Sequence, residues 1–277
     1  MTTMNVKGIE VPAFLYGTAW KEERTEALVG QALAVGFRGI DTANQRKHYF
    51  EAGVGAALAK LSAAERAGIF LQSKFTHRDG QDHRLPYDPS ADMTTQVRQS
   101  FASSLEHLGV EQLDSFILHG PLWREGLARA DREVWRTFEA LHDEGRVRLL
   151  GISNVSAGQL AELCGLSRVK PAFVQNRCYA RLGWDRAVRE VCRREGVVYQ
   201  GFSLLTANRA ELQSRTLLAI AARHGKTPAQ VVFAYAGTVG MIRLTGSSDA
   251  GHLRQDLASD DIELAPDEVA AIDKISG

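Results

Sequence analysis

Residues 113–154 contain the stretch that decides the fold: LDSFILH (113–119), REVWRTFEALHDEG (132–145) and VRLLGISN (147–154). The first and last runs are short and apolar, as buried strands are. The middle segment has apolar residues at helical spacing and ends on Gly145. A strand, a helix and a second strand in this order form a unit in which the two strands lie parallel. The stretch therefore predicts an α/β protein with a parallel sheet.

The same alternation extends in both directions. Six further apolar runs are AFLYGT (13–18), FRGID (37–41), GIFLQSK (68–74), AFVQN (172–176), VVYQGFS (197–203) and MIRLTGSS (241–248). An open doubly wound sheet alternates similarly, but no GxGxxG follows the first run, and eight evenly spaced units favour closure. The 277 residues also fit a (β/α)8 TIM barrel, which needs about 250. We expect one domain over residues 1–277, with a short C-terminal tail.

Glycine and proline mark where the helices between these runs end or begin. Gly36, Gly109, Gly145 and Gly196 each close an amphipathic segment shortly before the next apolar run, which is typical of helix C-termini. Pro228 stands where a helix is expected to begin. The segment APDEVAAIDKISG, at the end of the sequence, predicts a closing helix with an acidic first turn.

Composition and charge restrict the partners that this chain is expected to bind. The 33 basic and 33 acidic residues balance, so neither nucleic acid nor a membrane surface is an expected partner. The N-terminal segment lacks a signal-peptide pattern, and no apolar run approaches about 20 residues. The three cysteines form no CxxC pair and are expected as thiols in a reducing cytoplasm. We expect a cytoplasmic protein that holds no metal.

Polar side chains end nearly every apolar run, which is where barrel enzymes carry their active-site groups. They are Asp41, Lys74, His119, Ser153–Asn154, Gln175–Asn176, Ser203 and Ser247–Ser248. Each has a plain structural interpretation: Asp41 as a turn residue, Lys74 as a solubilising charge, His119 as a satisfied buried imidazole. Because buried charges need partners and Asp41 and Lys74 end neighbouring runs, we predict that these two pair. A ring with an acid, a cation and an imidazole favours a catalytic site.

Several longer motifs surround these residues. They are GFRGIDTA (36–43), EAGVGAAL (51–58), SKF (73–75), LDSFILHGP (113–121), GRVRLLGISN (145–154) and GKTPAQVV (225–232). In these motifs, and in their order along nearly the whole chain, the sequence resembles the aldo-keto reductase family. The resemblance implies an NAD(P)H-dependent reduction of aldehydes and ketones to alcohols. It also implies a monomer whose partner is a small carbonyl or alcohol substrate.

The resemblance implies a catalytic tetrad of Asp41, Tyr49, Lys74 and His119. A phenol has a pKa near 10 and is a weak acid at neutral pH. We expect the Lys74 ammonium, held by Asp41, to lower the pKa of Tyr49, which donates a proton as hydride reaches the carbonyl carbon. His119 is expected to orient the carbonyl oxygen by a hydrogen bond.

The tyrosine departs from the family's usual spacing. The family commonly places it five residues after the aspartate, and that position here is Arg46. Tyr49 stands eight residues after Asp41, a difference that an enlarged loop accommodates. The alternative is a structural Tyr49, with Arg46, Lys47 or His48 assisting the chemistry.

The resemblance also implies a nicotinamide cofactor along the strand ends. Ser153, Asn154 and Gln175 are expected to hydrogen-bond its carboxamide. Phe202 takes the place of an aromatic that stacks on the nicotinamide ring, where a tyrosine is more usual; its alternative is core packing. The remaining expected contacts are Ser203 and Leu205 along the pyrophosphate, and Thr18 and Ala19 after the first run.

The adenosine end departs further from the family. Members that prefer NADPH typically carry Pro-Lys-Ser after the eighth strand and an arginine six residues beyond the lysine. Here Gly246 replaces that lysine and His252 the arginine, so Ser247, Ser248 and Arg254 are the candidate phosphate ligands. We expect NADPH, with NADH possible.

The substrate is expected between the nicotinamide and aromatic side chains at the barrel top. The candidate walls are Trp20, Phe50, Phe75 and Trp123, with Trp184 as a further candidate, and each has core packing as its alternative. Longer family members continue into a C-terminal loop that closes over the substrate. This sequence ends at IDKISG, which predicts an open site with broad acceptance of aldehydes and activated ketones.

Two other functions are compatible with such a barrel. One is a regulatory barrel that binds the cofactor and turns over little, which the spacing of Tyr49 and the altered phosphate site favour. The other is an aldolase that uses Lys74 in a Schiff base, against which GISN and GKTPAQ argue.

Overall fold

Ten strands lie within residues 2–275, the part of the chain that the computed structural model describes. They are β1 (Thr3–Val6), β2 (Ile9–Pro12), β3 (Phe14–Gly17), β4 (Gly39–Asp41), β5 (Phe70–Phe75), β6 (Leu113–Leu118), β7 (Val147–Ser153), β8 (Phe173–Arg177), β9 (Val198–Phe202) and β10 (Ile242–Thr245). Strands β3 to β10 pair in parallel in chain order, and β10 closes the barrel against β3. The predicted (β/α)8 barrel is confirmed, because each of the eight apolar runs holds one barrel strand.

Helices alternate with the barrel strands and surround them. They are α1 (Thr25–Val35), α2 (Glu51–Leu58), α3 (Ala63–Ala67), α4 (Met93–Leu108), α5 (Arg129–Asp143), α6 (Ala157–Leu166), α7 (Arg186–Glu195), α8 (Arg215–His224), α9 (Pro228–Thr238), α10 (Ala250–Leu257) and α11 (Pro266–Asp273). The predicted boundaries are confirmed at Gly109 and Gly196, which follow α4 and α7 with φ of 63° and 69°, and at Pro228, which begins α9. None of the helices described is long and apolar enough to cross a membrane.

An N-terminal hairpin of β1 and β2 was not among the predicted elements. Its strands pair antiparallel around Lys7 and Gly8, whose φ values of 52° and 83° suit the tight turn of a two-residue hairpin. Val6 and Val11 pack into the apolar cluster inside the barrel. The alternation around the Lys7–Gly8 pair is the sequence signal that identifies such a hairpin.

Successive residues of each barrel strand point alternately into the barrel and out towards the helices. On β5, Phe70 packs inside the barrel, whereas Leu71 and Phe75 pack in the outer cluster between strands and helices. This alternation therefore places the Lys74 side chain inside the barrel and the Phe75 side chain outside it. The prediction that Phe75 walls a substrate pocket is wrong: its buried ring contacts Tyr87 and His77.

Trp184 is likewise a core residue and not a pocket wall. Its indole is fully buried, lies 5.0 Å from the ring of Tyr235 and donates a hydrogen bond of 3.0 Å to the carbonyl of Ile272. These contacts join the start of α7 to α9 and α11, so the side chain stabilises the packing of the helices.

Candidate active site

An ion pair between Asp41 and Lys74 forms the floor of the barrel mouth. The Lys74 Nζ lies 2.7 Å from each Asp41 carboxylate oxygen and 2.8 Å from the carbonyl oxygen of Thr42. Burial lowers the pKa of Lys74, and the Asp41 carboxylate opposes that shift. Three hydrogen bonds use all three ammonium protons, so the side chain is held in one place. The predicted pairing of Asp41 with Lys74 is confirmed.

The enlarged loop over residues 42–50 is fastened to the barrel by its side chains. Asn44 donates from its amide group to the Ser100 carbonyl over 3.0 Å, and Gln45 donates to the Gly80 carbonyl over 2.6 Å. The carbonyl of Gln45 then accepts the backbone N–H of Tyr49 at 2.9 Å. Gln45 therefore links the anchored part of the loop to the tyrosine.

Tyr49 lies in the barrel mouth beside Lys74 and His119. The Lys74 Nζ is 5.3 Å from the centroid of the phenol ring. The imidazole ring of His119 is 5.8 Å away, centroid to centroid, at an interplanar angle of 71°. The structure thus brings together the four residues of the expected tetrad.

The neighbouring loop residues have other contacts. The Arg46 guanidinium lies 4.8 Å above the ring of Phe50, and Lys47 is exposed. His48 stacks on Trp20 with ring centroids 3.9 Å apart, and its Nδ1 lies 2.9 Å from the Gln45 amide oxygen.

The acidity of Tyr49 differs from our expectation. Burial raises the pKa of Tyr49 above its ordinary value of 10, and the negative charge of Asp41 raises it further. The expected lowering of the Tyr49 pKa by Lys74 is wrong for this arrangement, because burial and the Asp41 charge outweigh the ammonium, whose three protons are all donated to Asp41 and Thr42. Tyr49 is therefore held as a neutral phenol.

His119 is held as a neutral imidazole. Burial, followed by the charge of Lys74, lowers the pKa of His119 to about 3. Its Nδ1 lies 2.7 Å from the Thr76 hydroxyl, a partner that the sequence reasoning missed although Thr76 directly follows SKF. When the Thr76 hydroxyl donates to Nδ1, the imidazole proton is on Nε2. His119 and Tyr49 both line the cleft above them.

A cleft of about 640 Å³ runs across the barrel mouth from these residues towards β10. Near the tetrad, Ser153 donates to the Gln175 carbonyl over 2.6 Å, and the Asn154 amide donates to the His119 carbonyl over 2.7 Å. The side-chain carbonyls of Asn154 and Gln175 accept no hydrogen bond from residues 2–275. Phe202 lines the same end of the cleft. This end therefore offers acceptors beside an aromatic ring, as a carboxamide on a flat ring needs.

The middle of the cleft is lined by Ala19, Ser203 and Leu205, as expected of cofactor contacts. Thr18 is placed differently. Its backbone N–H and its hydroxyl both donate to the Asp41 carbonyl, at 3.0 and 3.1 Å, and the side chain is buried. Thr18 therefore stabilises the strand end that carries Asp41 and does not line the cleft.

The far end of the cleft contains a cation that the sequence reasoning missed. Gly246 lines this end, and a Cβ there would lie 3.5 Å from the Lys21 Nζ, which donates to the Gly246 carbonyl. Lys21 belongs to the loop after β3, so only the closed barrel reveals its place beside Gly246. The ammonium thus stands near the position where the family's usual lysine is absent.

Two predicted phosphate ligands do not line the cleft. Ser247 does, and so do His252 and Gln255 of α10. Arg254 is exposed and falls between His252 and Gln255 in sequence, on a different face of the helix. Ser248 is also outside the lining, and its carbonyl accepts a hydrogen bond from Gln31. Arg254 and Ser248 therefore do not lie where we expected them to bind the phosphate.

A side compartment of about 450 Å³ opens beside Tyr49 and His119. Trp20 forms one wall with 70% of its surface exposed, and its φ of 62° is rare for a bulky residue. Trp123 is 60% exposed and, like the half-buried Phe50, does not line this compartment. Of the aromatic substrate walls predicted, the structure places Trp20 beside the tetrad.

Fold and site together define a (β/α)8-barrel protein with a ligand cleft at the carboxyl ends of its strands. The model of the aldo/keto reductase family matches residues 14–277, and the chain belongs to that family of oxidoreductases.

Individual relatives agree with this assignment. Over 272 residues the chain is 29% identical to the glyoxal reductase of Bacillus subtilis, covering 97% of this chain and 90% of that one. An aldo/keto reductase structure from Brucella melitensis superposes with a TM-score of 0.82 at 26% identity, covering 99% of this chain and 97% of that chain. A Bombyx mori aldo-keto reductase solved in complex with NADP shares the fold, with a TM-score of 0.82 at 20% identity, covering 99% and 92% of the chains.

Proposed function

We propose that this chain reduces aldehydes and ketones to alcohols with a nicotinamide cofactor bound in the cleft. The observation that carries the proposal is that Tyr49 and His119 line the same cleft as the open acceptor atoms of Asn154 and Gln175. A carbonyl held by the first pair would lie beside a nicotinamide ring held by the second. A bound dihydronicotinamide supplies the hydride for such a reduction.

Tyr49 is the proton donor in this proposal. Because burial holds its pKa above the ordinary value, the phenol keeps its proton until a carbonyl oxygen beside it gains negative charge. The Asp41–Lys74 pair fixes the ammonium 5.3 Å from the phenol ring, where the cation stabilises the phenolate left behind. Positioned proton transfer of this kind typically contributes about 10²–10⁴-fold in rate.

His119 orients the carbonyl in this proposal and does not donate the proton. A neutral imidazole whose Nδ1 accepts from Thr76 presents its Nε2–H as a donor. A donor fixed in a buried site favours the charge that develops on the carbonyl oxygen. With a pKa of about 3, His119 keeps this state throughout the physiological range.

We propose NADPH as the preferred cofactor, with NADH as the weaker ligand. The Lys21 ammonium beside Gly246 supplies a cation at the end of the cleft where the 2′-phosphate is expected. The Bombyx mori relative was solved with NADP. In a fluorescence titration, Lys21→Met should raise the Kd of NADPH more than that of NADH. An equal rise for both would place Lys21 at the shared pyrophosphate and remove the support for NADPH.

We propose small aldehydes and activated ketones as substrates. The side compartment combines the Trp20 indole with the polar side chains of Gln45, His48 and Asp79. Such a mixed lining suits short carbonyl compounds that carry further polar groups. The similar Bacillus subtilis protein bears the name glyoxal reductase, which agrees with this choice.

The aldolase alternative conflicts with the state of Lys74. A Schiff base requires a neutral amine with a free lone pair next to the substrate. The Lys74 Nζ is fully buried and donates three hydrogen bonds. An attack by this nitrogen would first break the ion pair with Asp41.

Oxidation of NADPH and NADH at 340 nm with a panel of aldehydes and ketones tests the proposed function. We expect turnover with several short aldehydes and slower turnover with simple ketones. Binding of NADPH without oxidation across the whole panel would favour the regulatory barrel. A preference for one substrate by several orders of magnitude would contradict the broad acceptance proposed here.

A further inference from the structure

Three glutamine side chains form a buried amide cluster directly beneath the Asp41–Lys74 pair. Gln72, Gln175 and Gln200 project into the barrel from β5, β8 and β9, and each is at least nine-tenths buried. Such a cluster is unusual in a barrel interior, where branched apolar residues dominate. We call it the glutamine triad.

The hydrogen bonds of the glutamine triad connect its three amides to one another and to one oxygen of Asp41. Asp41 Oδ1 accepts from the Nε2 of Gln72 at 2.7 Å and from the Nε2 of Gln175 at 3.0 Å. The Oε1 of Gln200 accepts from the same two Nε2 atoms, each at 2.9 Å. The Nε2 of Gln200 donates back to Gln72 Oε1 at 3.0 Å. The four side chains therefore form one connected network.

The charge on Asp41 determines the orientation of every amide in this network. A carboxylate paired with Lys74 only accepts hydrogen bonds, so Gln72 and Gln175 must each turn an NH2 group towards it. The Gln200 atom that lies within reach of both NH2 groups must be an acceptor. The Gln200 side chain therefore turns its carbonyl oxygen towards them. Turning the Gln175 amide over would place its oxygen against two other acceptors, Asp41 Oδ1 and Gln200 Oε1. The orientations thus follow from donor and acceptor chemistry.

The fixed orientation decides what Gln175 presents to the cleft. Both of its NH2 protons are directed to Asp41 and Gln200, and the residue lines the cleft. The group left for a ligand is the side-chain carbonyl, which is an acceptor. A ligand group that donates, such as the NH2 of a carboxamide, suits this site, whereas a carboxylate places two acceptors together.

We propose that Gln200 and Gln72 are positioning residues that lock the Gln175 amide as an acceptor, so that the cleft selects a carboxamide-bearing nicotinamide over its carboxylate analogue. The inference rests on the proposed function, since it takes the cleft to bind a nicotinamide dinucleotide. Neither Gln200 nor Gln72 touches the ligand. They act through Gln175, and they connect the ring-binding side of the site to the Asp41–Lys74 pair.

The test compares binding of NADP⁺ and nicotinic acid adenine dinucleotide phosphate, two ligands that differ only in carboxamide against carboxylate. The quenching of tryptophan fluorescence gives both Kd values without turnover. The wild-type chain should bind NADP⁺ at least about 10-fold more tightly. In Gln200→Met, Gln175 keeps one of its two locking hydrogen bonds, and this ratio should fall several-fold.

Three further variants separate positioning from packing. Gln200→Glu should retain the ratio, because a carboxyl buried beside Asp41 stays protonated and reproduces the donor and acceptors of the amide. Gln72→Met should lower the ratio less than Gln200→Met does, because Gln200 then loses the two hydrogen bonds to Gln72 that help to hold its carbonyl towards Gln175. Ser115→Ala is the control: Ser115 pairs in register with Gln72, is buried, and its hydroxyl has no partner within residues 2–275.

The outcomes distinguish this inference from the proposed function. A wild-type chain that binds neither dinucleotide contradicts both. A chain that binds both equally contradicts the inference alone. If folded Gln200→Met or Gln72→Met raises both Kd values together and leaves their ratio unchanged, the glutamine triad only packs the barrel interior. That result would overturn the inference.

Discussion

Asp256 is a buried carboxylate in the wall of the cleft. It lies on α10, accepts a hydrogen bond of 2.8 Å from the Thr245 hydroxyl and is 5% exposed. Burial raises the pKa of Asp256 to about 6, while the bond from Thr245 opposes the shift. The folded chain therefore favours the neutral acid more than the unfolded chain does. This carboxyl contributes stability below about pH 4 that is lost as the pH rises through about 6.

Asp256→Asn removes this titration and keeps an acceptor for Thr245. Relative to wild type, the variant should gain roughly 2–2.5 kcal/mol of unfolding free energy between pH 4 and pH 7.5. Urea unfolding at the two pH values measures the gain, with the exposed Asp261→Asn as control. An equal difference at both pH values would show that Asp256 titrates normally in the folded chain.

For single residues, the sequence predicts the features that local position determines. Asp41 and Lys74 end neighbouring strands, so their pairing could be predicted from the sequence. The barrel determines which side chains of β5 face inwards, and it places Phe75 in the core between the strands and the helices. Lys21 and Gly246 are separated by most of the chain, so their proximity required the closed fold. The acidity of Tyr49 depends on burial, which residue types alone do not give.

Helix α2 packs closely against the end of α4 through Gly55. A Cβ on Gly55 would overlap the backbone carbonyl of His107, whereas a Cβ on Gly30 of α1 would meet no atom within 4 Å. Both glycines lie inside helices, so comparing alanine substitutions at the two positions separates the effect of packing from that of helix propensity.

Gly55→Ala should lower the unfolding free energy by roughly 1–3 kcal/mol, because the two helices must separate. Gly30→Ala should raise it by about 0.5–1 kcal/mol through reduced backbone entropy in the unfolded chain. Chemical denaturation measures both. Stabilisation by both alanines would contradict the close approach of α2 and α4.

Among the strands and helices, the eight barrel strands were predictable because each is a short apolar run between turn signals. Helix ends at Gly109 and Gly196 were predictable from the left-handed conformation that glycine permits. The β1–β2 hairpin was not predicted, since its four-residue strands alternate polar and apolar residues too briefly to stand out. It was the tertiary contact of Val6 and Val11 with the barrel interior that revealed its role.

The pairing of β10 with β3 joins the last barrel strand to the first and closes the barrel. We propose that the chain is one domain and a monomer. Circular dichroism and tryptophan fluorescence should then report the same urea midpoint, because the buried Trp135 and Trp184 lie on different arcs of the helical ring. Sedimentation should give a mass near 30.4 kDa. Separate midpoints would indicate independent units, and a doubled mass a dimer.

The central claim is that the loop over residues 42–50 delivers Tyr49 as the proton donor beside Lys74 and His119. The most direct measurement is the single-turnover rate of NADPH oxidation by Tyr49→Phe with a short aldehyde, alongside its Kd for NADPH. Tyr179→Phe serves as control, since Tyr179 contacts Arg177 and Arg181 and does not line the cleft. We predict a loss of at least about 100-fold in rate for Tyr49→Phe, with an unchanged Kd and a normal control. A wild-type rate in Tyr49→Phe would contradict the assignment.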